Sequence, residues 1–136
     1  MYQAETKIRV RYGETDQMGY VYYGNYASYY EVARVESLRQ LGFCYRELEE
    51  KGIMLPVLEN HSKFHKPAKY DELLTIKVTI PEMPTLKMKF RYEIFNESKL
   101  LINTGDTTLV FIKKETMKPC RMPEIMNGFL RPYFAD

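Results

Sequence analysis

The chain has 136 residues, with 20 Lys and Arg against 18 Asp and Glu, and only two His and two Cys. This length predicts one domain, residues 1–136, and the small net charge of +2 argues against a nucleic-acid binder. Two His cannot form a three-His site and Cys44 and Cys120 form no C-x-x-C pair, so we expect no metal. Without an apolar run of roughly 20 residues or a signal peptide, we expect no membrane span and a cytoplasmic location.

The first half of the chain predicts one strand followed by one long helix. Apolar and polar residues alternate over residues 8–12, which is typical of a half-buried strand, and residues 13–19 form a polar turn bounded by glycines. Residues 25–41 contain neither Gly nor Pro and predict a helix, with Asn25 as its N-cap and Gly42 just beyond its end. Because apolar residues occur around most of this helix, we expect it to be covered on more than one face.

The second half of the chain predicts an antiparallel sheet. Four segments have the pattern of strands: residues 54–64, 74–80, 88–94 and 100–112. Gly105 is predicted to form a bulge in the last strand, and residues 123–127 a small terminal helix. Since the later connections have hairpin length, neighbouring strands run antiparallel. The fold class is therefore α+β, with an antiparallel sheet wrapped around a long central helix.

Asp16 lies in the polar turn between the first strand and the helix. In one interpretation it is structural, because Asp in such turns usually accepts hydrogen bonds from backbone N–H groups. In the other interpretation it faces the unpaired N–H groups and the positive dipole end at the helix start. A carboxylate beside such donors is the arrangement of an acyl-transfer site, with a base or nucleophile facing an oxyanion pocket.

Residues 12–34 (YGETDQMGYVYYGNYASYYEVAR) resemble the signature of the hotdog-fold acyl-CoA thioesterases of the 4-hydroxybenzoyl-CoA thioesterase family. The shared pattern is T-D-x-x-G-x-V-x-x-x-N-Y before the central helix, followed by E-x-A-R. Residues 64–74 (FHKPAKYDELL) are similar to the family's segment that leads into the next strand. The resemblance implies a hotdog fold over nearly the whole chain. It also implies hydrolysis of an acyl thioester to a carboxylic acid and CoA, with no cofactor besides the coenzyme A of the substrate.

The resemblance implies particular roles for residues of this sequence. Asp16 is expected to attack the thioester carbonyl or to activate a water, and the backbone N–H of Tyr23 to polarise that carbonyl. Many relatives have His at the position of Tyr23, so we expect no proton relay by that side chain. Tyr22, Asn25 and Lys66 are predicted to bind substrate. For Lys66 a contact with the coenzyme A phosphates competes with a role as a solvated lysine at a strand edge.

The family resemblance also implies a homodimer or homotetramer with the active site at the subunit interface. Three other functions stay open at this point. An acyl-carrier-protein thioesterase fits the lack of basic residues in loop 82–85, where some relatives have them. A hotdog dehydratase usually needs a His near the acidic residue, and the segment around Asp16 has none. A non-catalytic acyl-thioester binding module is the third, because a fold does not define a function.

Overall fold

The structure is a computed structural model that describes residues 1–134. Within residues 1–134, eight strands occur in chain order: Tyr2–Arg9 (β1), Ile53–Met54 (β2), Val57–Phe64 (β3), Leu73–Ile80 (β4), Lys87–Phe95 (β5), Leu101–Val110 (β6), Ile112–Lys113 (β7) and Lys118–Pro119 (β8). The helices are Asn25–Gln40 (α1), Tyr45–Glu50 (α2) and Glu124–Leu130 (α3), with 3-10 turns at Tyr12–Glu14 and Arg131–Tyr133. Across residues 1–134, no helix combines the length and the apolar character needed to cross a membrane.

The main sheet has five antiparallel strands in the order β1-β4-β5-β6-β3. The predicted meander of the last three long strands is confirmed, and β3 joins the sheet at its edge by pairing with β6. A second, three-stranded sheet has the order β2-β7-β8. The two longest predicted strands were wrong in extent because each is divided between the two sheets. Pro56 separates β2 from β3, since proline has no N–H for a ladder, and Phe111 separates β6 from β7.

Helix α1 packs on one face of the main sheet, which confirms the α+β architecture. Every second residue of β4 and β5 is buried on that face, including Ile76 and Phe90. The buried residues of α1 recur at helical spacing: Tyr26, Tyr29, Tyr30, Ala33, Arg34, Ser37 and Leu38. Val32, on the opposite side of the helix, is 44% exposed in the single chain. The expected cover on more than one face of α1 is therefore not supplied by residues 1–134.

Several predicted boundaries needed correction. The first strand is Tyr2–Arg9 and not residues 8–12, and α1 begins at Asn25 itself, with Gly24 as its N-cap. The prediction of Asn25 as the N-cap was wrong, because its side chain donates to the carbonyl oxygen of Glu14 and does not cap the helix. Gly42 follows the helix end with φ +91°, as predicted for a C-terminal glycine. Helix α3 continues through Gly128 to Leu130, where apolar burial outweighs the poor helix propensity of glycine.

Gly105 does not form the predicted bulge. It pairs in regular register with Ser62 on β3 and Tyr92 on β5. A Cβ at this position would overlap the Tyr30 hydroxyl and lie 2.7 Å from the carbonyl oxygen of His61. Glycine is required here because the central helix sends a large side chain directly against the strand.

Candidate active site

Asp16 lies at the tip of a short hairpin that connects β1 to α1. Thr15 and Val21 form an isolated antiparallel bridge across this hairpin. The Asp16 N–H donates to the carbonyl oxygen of Tyr20 at 2.8 Å, and the Gly19 N–H donates to the carbonyl oxygen of Asp16 at 2.9 Å. Gly19 has φ +79°, which the turn requires. The chain therefore doubles back and places the start of α1 beside the segment that leads into Asp16.

The two carboxylate oxygens of Asp16 differ in their surroundings. Oδ1 accepts the backbone N–H of Met18 at 2.9 Å and that of Tyr20 at 3.2 Å, so this oxygen holds the turn together. Oδ2 accepts no hydrogen bond from any residue between 1 and 134, and the side chain is half-buried. Because one oxygen is sufficient to hold the turn, the other is left for a second task.

Tyr23 lies two residues before α1, where the first N–H groups of a helix lack partners within the helix. The N–H groups of Asn25 and Tyr26 donate to the carbonyl oxygens of Tyr22 and Tyr23, at 2.9 and 3.2 Å. Within the described residues, the Tyr23 N–H itself meets no acceptor. It lies at the positive end of a 16-residue helix and can donate to an oxygen that gains negative charge. Its role as the oxyanion donor stays a prediction.

Glu14 joins the Asp16 hairpin to the start of α1 through its main chain. Its carbonyl oxygen accepts the Tyr22 N–H at 2.9 Å and the Asn25 side-chain Nδ2 at 2.8 Å. The predicted substrate contact of Asn25 is not tested by this geometry, but its amide group already holds the helix start in place. Glu14 thus fixes the position of the Asp16 hairpin relative to the start of α1.

The carboxylate of Glu14 adds a second connection. It accepts the Arg11 N–H at 2.8 Å, forms an ion pair with the Arg11 Nη2 at 3.0 Å, and accepts the Tyr29 hydroxyl at 2.9 Å. Partial burial alone would raise the pKa of Glu14, but the bonds from Arg11 and Tyr29 outweigh it and hold this pKa below its usual range. Burial, followed by the bond to Glu14, raises the pKa of Tyr29. The link between Arg11, Glu14 and Tyr29 was not predicted from the sequence. The spacing of three positions between Arg11 and Glu14 in a turn could have indicated their ion pair.

An exposed aromatic surface, formed by Tyr22, Tyr23 and Phe64, lies at the start of α1. The rings of Tyr22 and Tyr23 have centroids 4.7 Å apart, and Phe64 meets Tyr23 at 6.5 Å and the buried Tyr26 at 5.2 Å. Phe64 is the last residue of β3, so it brings the edge of the main sheet to the site. No pattern in the sequence marked Phe64 as a site residue. Rings exposed in this way can cover an apolar group that binds beside Asp16.

Lys66 is exposed and follows Phe64 by two residues. Its backbone N–H donates to the carbonyl oxygen of Ile102 at 3.1 Å. The segment then runs along the hairpin, where the Val21 N–H donates to the carbonyl oxygen of Ala68 at 2.8 Å. This path places Lys66 on the segment that flanks the helix start, and both interpretations of its charge remain open.

Together the hairpin, the start of α1 and the end of β3 provide a carboxylate oxygen, an unpaired backbone N–H and an aromatic surface. Such a set can polarise a carbonyl group and supply either a nucleophile or a base. Among residues 1–134, no three His, Cys, Asp or Glu side chains are grouped so as to hold a metal ion. The expectations of no metal and no cofactor stay predictions.

Comparisons with known proteins identify relatives along nearly the whole chain. Residues 10–130 match the family model of the thioesterase-like superfamily. The chain is 34% identical over 119 residues to YneP of Bacillus subtilis (strain 168), whose name assigns acyl-CoA thioesterase activity only provisionally; the match covers 88% of this chain and 86% of YneP. It is 31% identical over 117 residues to the acyl-CoA thioester hydrolase YbgC of Escherichia coli O6:H1, covering 86% of this chain and 87% of YbgC.

A solved structure extends this similarity to the fold. The crystal structure of a DHNA-CoA thioesterase from Staphylococcus aureus superposes on this chain with a TM-score of 0.90 at 38% sequence identity. The superposition covers 98% of this chain and 89% of that protein. The hotdog fold predicted from the sequence is confirmed.

Proposed function

This chain belongs to the thioesterase-like superfamily, and we propose that it is an acyl-CoA thioesterase, hydrolysing an acyl thioester to a carboxylic acid and coenzyme A. The proposed site rests on one observation. Asp16 has one carboxylate oxygen without a hydrogen bond within residues 1–134, and the nearby start of α1 carries the Tyr23 N–H, which also has no acceptor in that range. The names of the relatives support coenzyme A as the thiol portion of the substrate.

In the proposed reaction the Tyr23 N–H donates to the thioester carbonyl oxygen, which becomes negatively charged as the carbonyl carbon is attacked. Asp16 either attacks that carbon itself, giving an anhydride that water then opens, or removes a proton from the attacking water. In both routes the C–S bond breaks, the leaving thiolate takes up the proton that the water loses, and the net addition of one water gives the carboxylic acid and the thiol. Because cysteine-like thiols have a pKa of about 8.5, the leaving group requires little help from an acid.

The remaining predicted residues are assigned by their places around this centre. The Tyr22 ring, 48% exposed, is proposed to contact the acyl group, and Lys66 the phosphates of coenzyme A. Asn25 is proposed to bind the substrate, and its Nδ2 bond to the Glu14 carbonyl oxygen holds the helix start. The free thiols of Cys44 and Cys120 fit a reducing compartment, so we propose a cytoplasmic location.

We propose that the active form is a homodimer or homotetramer assembled through β3. Among residues 1–134 this strand pairs only with β6, and all eight of its residues are exposed. Val57, Leu58 and Phe64 are 50%, 53% and 50% exposed, which gives the open edge an apolar character. An open apolar edge is prone to pair with another strand, and a second copy of β3 would cover it. Phe64 would then lie at both the subunit interface and the active site.

A thiol-release assay on the full chain tests the function. Aliphatic and aromatic acyl-CoAs are compared with the same acyl groups on acyl-carrier protein, each with and without a chelator. We expect thiol release from one or more acyl-CoAs, unaffected by the chelator. Release from the carrier protein alone would instead identify a carrier-protein thioesterase. Tight acyl-CoA binding without thiol release would indicate a binding module, and hydration of an enoyl thioester would indicate a dehydratase.

Asp16→Asn tests the proposed carboxylate. Asn keeps an oxygen that can accept the Met18 and Tyr20 N–H groups, so the hairpin is expected to fold. Loss of a general base or nucleophile should lower kcat by about 10²–10⁴-fold. Asp71→Asn is the matched control, because Asp71 is exposed and has φ +68°, a conformation that Asn tolerates. Full turnover by Asp16→Asn would refute the role of Asp16.

A further inference from the structure

The segment from Leu58 to Phe64 has the same order of chemical characters when it is read in either direction. Its sequence is LENHSKF, with His61 at the centre. A polar amide or hydroxyl residue stands on each side of His61, followed by the opposite charges of Glu59 and Lys63 and then by an apolar residue at each end. This segment belongs to β3, which is exposed along its whole length and pairs within residues 1–134 only with β6. A strand with this symmetry complements a second copy of itself.

The side chains of β3 alternate between the two faces of the main sheet. From residue 59 to residue 64 the strand pairs with β6 in unbroken register. Ser62 bonds to the Tyr30 hydroxyl of α1 at 2.8 Å and therefore faces the helix, whereas His61 and Lys63 line a depression on the opposite face together with Asp106. Directly opposite residues of two antiparallel strands point to the same face. A two-fold axis between two β3 strands must therefore pass through one residue position, which then stands opposite itself.

A register centred on His61 joins complementary side chains at every position. It places Glu59 opposite Lys63 of the partner subunit, and Lys63 opposite Glu59 of the partner subunit, so that two pairs of opposite charges form. At the axis the two imidazoles meet, and a neutral imidazole can donate a hydrogen bond to a second one. The other positions also match: Asn60 comes opposite Ser62, and Phe64 comes to the apolar end of the partner strand at residues 57 and 58.

The two neighbouring registers lose this match of charges. A register centred on Asn60 places Glu59 opposite His61, and one centred on Ser62 places Lys63 opposite His61, so neither brings Glu59 to Lys63. Within residues 1–134, neither Glu59 nor Lys63 has an opposite charge within 4.0 Å. Both charges are therefore available for a contact between two copies.

We propose that two copies of this chain pair through β3 in the register centred on His61, with two Glu59–Lys63 ion pairs across the interface. This register rests on the proposed assembly through β3 and specifies which residues meet in it. It also brings the apolar start of the partner strand next to Phe64, so that the aromatic surface beside Asp16 continues onto the second copy.

Exchange of the two charges tests the register without any thioester, so the result is independent of the proposed activity. Glu59→Lys places like charges opposite each other twice and should weaken association of the copies roughly tenfold, measured by sedimentation velocity over a concentration series. Lys63→Glu should have the same effect, whereas the double variant restores two opposite pairs and should associate like the wild type. Glu5→Lys is the matched control, because Glu5 is exposed on β1 at the other edge of the sheet, and it should leave association unchanged. A double variant that associates no better than the single variants would overturn the proposal.

Crosslinking through one introduced cysteine locates the axis. In His61→Cys the two new thiols stand directly opposite each other, with Cα atoms about 4.5–5.5 Å apart, which a disulfide spans. Oxidation with copper–phenanthroline should therefore give a covalent dimer on a non-reducing gel. In Asn60→Cys the two thiols lie on diagonal positions, about 7–8 Å apart, and should crosslink poorly. The wild type, with the free thiols of Cys44 and Cys120, measures the background.

The outcomes separate the register from the assembly on which it rests. Crosslinking of His61→Cys no stronger than that of Asn60→Cys or of the wild type would overturn the proposed register, even if the protein is a dimer through β3. A wild type that sediments as a monomer at every concentration would overturn the assembly and the register together.

Discussion

The bond between the Tyr29 hydroxyl and Glu14 offers a direct test of what holds the proposed active site together. Tyr29→Phe removes this 2.9 Å bond and leaves the ring, which is 2% exposed and packs edge-on against Tyr26 at 5.7 Å. We expect the free energy of unfolding at pH 7 to fall by about 1.5–2 kcal/mol. A hydrogen bond to a charged group contributes roughly 1.5–3 kcal/mol. The lower part of that range applies because Glu14 keeps its bonds from Arg11.

The effect of Tyr29→Phe should depend on pH in a defined direction. Since the folded-state pKa of Glu14 is lowered, its contribution to stability is full above the unfolded value of about 4.3 and is lost as the pH falls through the folded value. Tyr29 supports the charged form of Glu14, so its removal makes that pKa less depressed. The stability difference between wild type and variant should therefore be greatest at neutral pH and decrease below about pH 4.

Urea unfolding followed by circular dichroism, over a pH series from 7 to 3.5, measures this difference. Tyr12→Phe is the matched control, because Tyr12 is 78% exposed and its loss of a hydroxyl should change stability by no more than about 0.5 kcal/mol. In the thiol-release assay we expect kcat of Tyr29→Phe to fall less than tenfold, since Glu14 still holds the loop through its main chain. Wild-type stability of Tyr29→Phe at pH 7, or a difference that grows on acidification, would refute the reasoning.

Two further substitutions test the fold and the assembly. Gly105→Ala should lower the free energy of unfolding by about 3 kcal/mol, because overpacking costs roughly 1–3 kcal/mol and displacement of the Tyr30 hydroxyl breaks its hydrogen bonds. The control is Gly13→Ala, because a Cβ at Gly13 meets open space. Similar midpoints of urea unfolding for the two variants would contradict this account. Leu58→Lys on the open edge of β3 should shift the oligomer towards monomer in sedimentation velocity and should lower the rate of thiol release. Leu86→Lys is the control, because Leu86 is similarly exposed but lies outside β3; it should change neither the oligomeric state nor the rate. An unchanged sedimentation coefficient for Leu58→Lys would argue against assembly through this strand.

Local sequence patterns predicted those elements of the fold that depend on near neighbours. The alternation in β4 and β5 and the glycine after α1 were sufficient, because burial on one face and a left-handed C-terminal residue are local requirements. The pairing of β3 with β6 and the division of two strands between sheets depend on contacts far apart in the sequence. Gly105 is an example: a glycine is required there because the side chain of Tyr30, 75 positions earlier on α1, occupies the space of a Cβ.

The candidate site divides in the same way. Asp16 and Tyr23 were predicted because they stand in a continuous motif, whereas Glu14 and Phe64 were missed. The partners of Glu14 lie up to 15 positions away and reach it only because α1 turns one face towards the hairpin. Phe64 reaches the helix start because β3 ends there. No spacing rule within one segment contains either relation.

The dense tyrosines between positions 20 and 30 serve two physical requirements that phenylalanine would not meet equally. Tyr29 and Tyr30 are buried, and each carries its hydroxyl to a polar partner, Glu14 at 2.9 Å and Ser62 at 2.8 Å. Their rings fill the space between helix and sheet while their hydroxyls satisfy polar groups that the packing removes from water. Tyr22 and Tyr23 instead leave their rings exposed at the helix start, where an apolar surface beside a carboxylate is what an acyl group requires. The buried Tyr29 and Tyr30 therefore fix the position of α1, and the exposed Tyr22 and Tyr23 place aromatic rings at its start.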